Sequence, residues 1–328
     1  MRQWFCISLV SVALLASVPP VSASQEEASV GEGEADTSID CQQLDQQPED
    51  SAKAWFRRSL VAQHCYGFQA VGLRLGMGSL RTFLVEQRVD ADGHEKQHIQ
   101  YLDGRAESID EHGGQSAPWW IGGAGDHHPA SINATVDRLA ELYDFQMVAR
   151  DVVAGRQALV LDIQPRDDQR FPHRLWVDLA SGLPLRQQLL DGNGQAMDTV
   201  QIVRLDSLVR IEGSVDIGSS ADQAAMTSMG WQPQWLPQGF YRQPAQSSVE
   251  LGGVEVERQL YSDGLATLSI FIAPVSESVA LREGVHRLGN FRAAARRAEH
   301  GGGEHQIIAV GAIPAGVLSR VVAGVDWR

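Results

Sequence analysis

Basic charge is scarce in this chain. Its 328 residues hold 41 Asp and Glu against 27 Lys and Arg, a formal net charge of −14. Nucleic acid demands a basic footprint, so this balance argues against it as a partner. Simple electrostatic docking to an anionic membrane is disfavoured for the same reason. Catalytic signatures are missing too. There is no phosphate loop, dinucleotide glycine pattern, nucleophile elbow or zinc-protease helix. Asp191-Gly192-Asn193-Gly194 superficially resembles the start of a calcium loop, but Ile202 stands where that loop needs its bidentate Glu, so a turn is expected. Asp90 and Asp92 fail the same test at Tyr101. His127-His128 beside Asp126 are neighbours on a loop, and such neighbours seldom face one ion. His94 and His98 fall in a hairpin, where a four-residue spacing does not join side chains. No catalytic residue, metal ligand or cofactor is assigned, and the chain is not expected to be an enzyme.

Long apolar runs are also few. The main one, Phe5 to Val18, follows Arg2 and ends at Pro19-Pro20. Val21-Ser22-Ala23 then offers the small-x-small pattern of a signal-peptidase site. The run is shorter than the roughly 20 residues a permanent span requires. Residues 1–23 therefore read as a cleavable signal peptide, and the mature chain is expected in the periplasm, soluble after cleavage. The chain has three cysteines, of which Cys6 lies in this run. The remaining pair, Cys41 and Cys65, is a candidate disulfide, with two unpaired thiols as the alternative.

Residues 24–50 carry Glu26, Glu27, Glu32, Glu34, Asp36, Asp40, Asp45, Glu49 and Asp50 and no Lys or Arg. Such a composition buries no core and is expected to be disordered. A helix is expected from Ser51, a good N-cap, to about His64. Short strands follow at 66–75, 79–89, 98–102, 158–163, 173–179, 183–190 and 197–205, joined by turns such as Asp92-Gly93 and Ser181-Gly182. This is the pattern of an antiparallel meander. Residues 131–145 interrupt it with Ile132, Val136, Leu139, Leu142 and Tyr143 near helical spacing. Residues 213–230 lose pattern and read as a linker. Beyond it, Trp231 to Phe240 reads as a packed loop, 254–261 and 265–273 as a hairpin, 291–298 as a hairpin arm, and 305–310 as a strand. Pro314 opens a last helix. Trp176 is assigned to core packing. Trp119 and Trp120, adjacent in a Gly/Pro-flanked loop, are the candidate lipid or partner surface.

The second half carries a longer pattern. Trp231-Gln232-Pro233-Gln234-Trp235-Leu236-Pro237-Gln238-Gly239-Phe240, followed by Arg258-Gln259-Leu260-Tyr261-Ser262-Asp263-Gly264-Leu265, resembles the MucB/RseB family of periplasmic negative regulators of the envelope-stress sigma factor. Leu142-Tyr143-Asp144-Phe145, Leu175-Trp176-Val177-Asp178, Ser181-Gly182-Leu183-Pro184-Leu185-Arg186 and Val310-Gly311-Ala312-Ile313-Pro314 agree in the same order. The resemblance runs from about residue 51 to the end, with Trp235, Leu236, Pro237, Gly239, Phe240, Tyr261, Asp263 and Gly264 as its family-motif residues. The acidic segment and the Cys41/Cys65 pair are not part of it.

The resemblance implies an α+β chain. A large N-terminal half-open antiparallel β-barrel with helices, similar to lipoprotein carriers, would span 51–212. A smaller C-terminal α/β domain would span 231–328. It implies binding to the periplasmic part of a single-pass anti-sigma factor of the MucA/RseA type. The protein would shield that partner from site-1 proteolysis and be released by lipopolysaccharide or acylated lipid. A periplasmic lipid or lipoprotein carrier is the alternative, and a secreted hydrolase the weakest reading.

Overall fold

The computed structural model describes residues 38–48, 50–76, 79–89, 95–104, 108–112, 132–216, 229–243, 247–251, 254–275, 281–288 and 291–327. Residues 1–23, Trp119, Trp120, His94, Asp126, His127 and His128 lie outside them. Residues 35–328 form one compact unit that contains both sheets.

The described chain starts with β1 (Ser38–Asp40) and a 3-10 turn (Cys41–Asp45). Helix α1 (Ala52–Cys65) follows, and the Ser51 hydroxyl accepts the Ala54 N–H at 3.2 Å as its N-cap. Then come β2 (Tyr66–Gly76), β3 (Ser79–Val89), β4 (Glu95–Tyr101) and β5 (Ser108–His112). Helix α2 (Ile132–Leu142) leads directly into β6 (Tyr143–Val153), β7 (Arg156–Pro165), β8 (His173–Asp178), β9 (Pro184–Leu190) and β10 (Ala196–Arg210). These nine strands form one antiparallel sheet in the order β5-β4-β3-β2-β10-β9-β8-β7-β6. The long β10 joins two meanders by pairing with β2 on one side and β9 on the other. Asp191-Gly192-Asn193-Gly194 is a turn, its Asp191 carboxylate accepting the N–H of Asn193 and Gln195.

Alternation decides which side of this sheet is buried. Phe68 and Ala70 of β2, Phe83 and Val85 of β3, Leu159 and Leu161 of β7, and Leu175 and Val177 of β8 share one core. Phe56 and Leu60 of α1 and Val136 and Leu139 of α2, spaced at one helical turn, fill that side.

After β11 (Ser214–Asp216) the chain builds a second sheet. Its elements are β12 (Trp231–Pro233), β13 (Tyr241–Gln243), β14 (Ser248–Leu251), β15 (Val254–Ser262), β16 (Thr267–Pro274), β17 (Gly284–Leu288), β18 (Phe291–His300) and β19 (Gly303–Gly311). Helix α3 (Ala315–Ala323) and β20 (Val325–Trp327) end it. The strand order is β13-β15-β16-β19-β18-β17, with β14 beside β15 and the pair β12-β20 apart. Val317, Leu318, Val321 and Val322 of α3 pack on Leu268, Ile270, Ile307 and Ala309. Arg296 fixes the far end of α3 by donating to the carbonyls of Val322 and Val325 at 2.6 and 2.7 Å.

Several expectations are corrected. The segment taken as disordered, 24–50, contains β1 and the 3-10 turn, and the supposed linker 213–230 contains β11, which pairs with β1. The cause is local apolar content that composition averages away: Ile39, Cys41, Leu44 and Val215 are all buried in one cluster with Val61 and Cys65. The helical reading of 131–145 ends too late. The helix stops at Leu142, and Tyr143 starts an 11-residue strand paired along β7. Pro314 is the N-cap of α3 rather than its first residue. Among the described residues the second sheet is antiparallel with a single helix, so its expected α/β character reduces to mostly β. Among the described residues no helix is long and apolar enough to cross a membrane.

Candidate functional site at the joint between the sheets

Four motif residues of the second half, Gly239, Phe240, Asp263 and Gly264, lie where the two sheets meet. The β15–β16 turn, Asp263-Gly264-Leu265, enters the N-terminal core. Leu265 is buried in that core with Leu139, Leu142 and Tyr143. Gly264, at φ +104°, presents its bare Cα side to Leu139. Gly239 sits at φ +82°, a conformation that favours glycine, and the Leu142 side chain at the end of α2 packs over its bare Cα, with Cδ1 2.5 Å from where a Cβ would fall.

Asp263 is wholly buried and fully bonded. One carboxylate oxygen accepts the N–H of Leu265 and Ala266 at 2.9 and 2.7 Å, which holds the turn closed. The other accepts the Tyr143 hydroxyl at 2.9 Å and Arg170 Nε at 2.6 Å, both from the N-terminal sheet side. Arg170 also donates to Asp167 and to the Gln238 carbonyl. Its guanidinium lies 5.8 Å from the Tyr143 ring centroid and 5.4 Å from that of Phe240. The joint is thus an ion pair sealed from water, with every strong acceptor and donor used. Burial, then the Asp263 charge, pushes the Tyr143 phenol well above its ordinary range, so it stays a hydrogen donor.

The other motif residues support this loop. Phe240 N–H donates to the Pro237 carbonyl at 3.2 Å and closes the turn that carries Gly239. Trp235 lies under Arg320 of α3, 3.7 Å from its guanidinium carbon, and Leu236 packs on the second core. Tyr261 is buried there beside Gln259, whose amide donates to the Trp231 carbonyl at 3.2 Å. Pattern reading did not single out Arg170, His173 or Gln238. Arg170 sits in a polar turn whose only warning is a charged run, Arg166 to Arg170, bounded by Phe171-Pro172.

His173 lies beside this network on β8, 5% exposed, and neither ring nitrogen has a hydrogen-bond partner. Burial lowers its pKa to about 4, against the opposing pull of Asp263. The unfolded chain takes up this proton near the ordinary value of 6.5, the folded chain only near 4. Folding stability therefore falls as pH drops from 6.5 to 4, by about 3 kcal/mol from this group alone. Urea unfolding across that window should show the slope in the parent and a flatter one in His173→Leu.

Among the described residues no three His, Cys, Asp or Glu side chains converge as a metal site. What the joint can do is mechanical. It fixes the angle between two sheets through one buried charge pair and two glycine contacts.

Residues 51–216 match the model of the MucB/RseB N-terminal domain, and 225–326 that of the MucB/RseB C-terminal domain. The chain is 27% identical over 288 residues to the sigma factor AlgU regulatory protein MucB of Pseudomonas aeruginosa, covering 84% of this chain and 90% of that protein. It is 30% identical over 212 residues to the sigma-E factor regulatory protein RseB of Haemophilus influenzae, covering 62% and 65%. Among solved structures, the MucA/MucB complex of Pseudomonas aeruginosa aligns with a TM-score of 0.65 at 26% identity, over 84% of this chain and 99% of that one. A crystal structure of MucB in complex with MucA(peri) aligns at 0.63, with the same identity and the same coverage.

Proposed function

The chain belongs to the MucB/RseB family, and from that premise we propose that it is a periplasmic regulatory protein that binds the periplasmic part of a membrane-spanning anti-sigma factor. In this reading it shields that partner from site-1 proteolysis and lets go when lipid or lipopolysaccharide binds. The observation that carries the reading is the likeness, across both sheets, to a MucB chain solved with MucA. The Cys41–Cys65 disulfide supports an oxidising compartment. Control of a cytoplasmic sigma factor would then have to pass through the membrane-spanning partner.

The division of labour follows the sequence. The large sheet, 51–212, would curl as in lipoprotein carriers and accept acyl chains, each buried CH₂ contributing about 0.8 kcal/mol. Trp119 and Trp120 would line that surface. The part from 231 to 328 and the groove beside it would hold the anti-sigma segment. The joint at Asp263 supports this coupling, because one buried ion pair ties the turn of the second sheet to the core of the first. Lipid can weaken the partner complex only by as much as its affinity differs between the free and bound protein.

One experiment tests the whole reading. The immobilised periplasmic segment of the cognate anti-sigma factor should retain the mature protein, and lipopolysaccharide should elute it. Elution should weaken in a folded Trp119→Ala, Trp120→Ala variant. No retention by the segment would defeat the regulatory reading. Lipid binding without retention would favour a lipid or lipoprotein carrier instead.

A further inference from the structure

The β18–β19 hairpin ends in a short polar run, Glu299-His300-Gly301-Gly302-Gly303-Glu304-His305, that the joint does not use. Gly301 and Gly302, at φ +60° and +79°, make its two-residue turn. Across the strands His300 faces Gly303, and His305 faces Ala298. Residues two apart on a strand share a face, so both imidazoles stand on the same side of the hairpin. Glu299 and Glu304 face each other on the opposite side.

The two rings are held close and ready to ligate. Their centroids lie 6.3 Å apart. Trp327 of β20 fixes both, stacking on His300 at 4.8 Å and 9° and meeting His305 edge-on at 6.1 Å. Trp327 is itself anchored, packing on the second core and pairing with Trp231 of β12. His305 Nδ1 lies 3.2 Å from the Gly303 carbonyl, which only accepts, so that nitrogen carries the proton and Nε2 keeps its lone pair. Metal-binding histidines are oriented in this way, by a carbonyl on the nitrogen that does not ligate. His305 Nε2 and both nitrogens of the exposed His300 have no hydrogen-bond partner among the described residues. An ion about 2.0 Å from one nitrogen of each ring sets the centroids about 5–6 Å apart, which a small turn of the His300 side chain reaches. Imidazole suits zinc, copper and nickel, whereas magnesium and calcium take oxygen ligands. Among the described residues no third His, Cys, Asp or Glu joins the pair, so water fills the other positions and the ion exchanges freely.

We propose that His300 and His305 together bind a divalent transition-metal ion of the zinc and copper class at the tip of the β18–β19 hairpin. The site goes beyond the regulatory reading and stands whether or not the chain holds an anti-sigma segment.

The test uses the untagged mature protein with ¹⁵N-labelled histidine and Zn²⁺ as the probe, read at these two rings. Zn²⁺ should shift the His300 and His305 signals together, and excess Mg²⁺ should leave them in place. Cu²⁺ should displace Zn²⁺, following the order of divalent affinities. His300→Gln and His305→Gln should each fold normally, and each should lower the Zn²⁺ affinity read at the remaining ring about tenfold. Unchanged affinity at His305 in His300→Gln would overturn the pair, and so would a response of one ring alone. Equal shifts with Mg²⁺ would overturn the transition-metal assignment. No shift at either ring would overturn the site itself.

Discussion

Asp263→Ala should cost about 4 kcal/mol of stability in urea unfolding, the scale seen when one partner of a buried ion pair is removed. The size follows from what the carboxylate holds. Its loss strands the Arg170 guanidinium, whose side chain is 0% exposed, and leaves it only Asp167 and the Gln238 carbonyl. The Tyr143 hydroxyl, buried and kept protonated, loses its acceptor. Two turn N–H groups lose theirs as well. A buried donor left unsatisfied costs about 1–3 kcal/mol by itself. Lys53→Ala is the control, because its ion pair with Asp137 is largely in water and should change little.

The same variant has a second readout. Asp263 is the bond through which the β15–β16 turn is held in the N-terminal core. Without it the two sheets should unfold in separate steps, visible as transitions that no longer coincide between Trp fluorescence and circular dichroism. A single coincident transition with full loss of stability would mean that Leu265 and the glycine contacts at Leu139 and Leu142 are enough to couple the sheets. Under the proposed reading the anti-sigma segment should still bind this variant, while elution by lipopolysaccharide should weaken.

How far the sequence reached depends on the range of the interaction that decides each element. The meander was legible because alternation and turn residues are local: Asp191-Gly192-Asn193-Gly194 needs only its own side chains to close. Ser51 as an N-cap is equally local. The strand at Tyr143–Val153 was not, because Leu142, Tyr143 and Phe145 continue the helical spacing of α2. What converts them to strand is β7, together with Phe145 packing 4.9 Å from Phe56. β1 was hidden for a stronger reason. Its partner β11 lies more than 170 residues away, and its acidic neighbours dominate any composition window. At the joint, Gly239 and Gly264 are readable as turn glycines. Nothing near them in sequence says that the turns insert against α2, and Arg170 and His173 owe their burial to a segment some 90 residues later.

Replacing both Cys41 and Cys65 with Ser should lower stability by about 3.5 kcal/mol, the loop-closure value for a disulfide spanning 24 residues. The effect acts mainly on the unfolded chain, which regains the freedom of the open loop. A folded-state effect adds to it locally. β1 has three residues and one neighbour, β11, so little else fastens it. The disulfide joins the residue after β1 to the last residue of α1, and Arg210 adds a bond to the Cys41 carbonyl at 2.7 Å. Without the cross-link residues 43–48 should come away from α1. Binding of the anti-sigma segment, which the proposed reading puts at the second sheet, should persist. Hydrogen exchange at Ile39 and Val215 separates the two contributions. Loss of stability with both amides still protected would show that burial of Ile39, Leu44 and Val215 holds this segment unaided, and that the disulfide works through the unfolded chain alone.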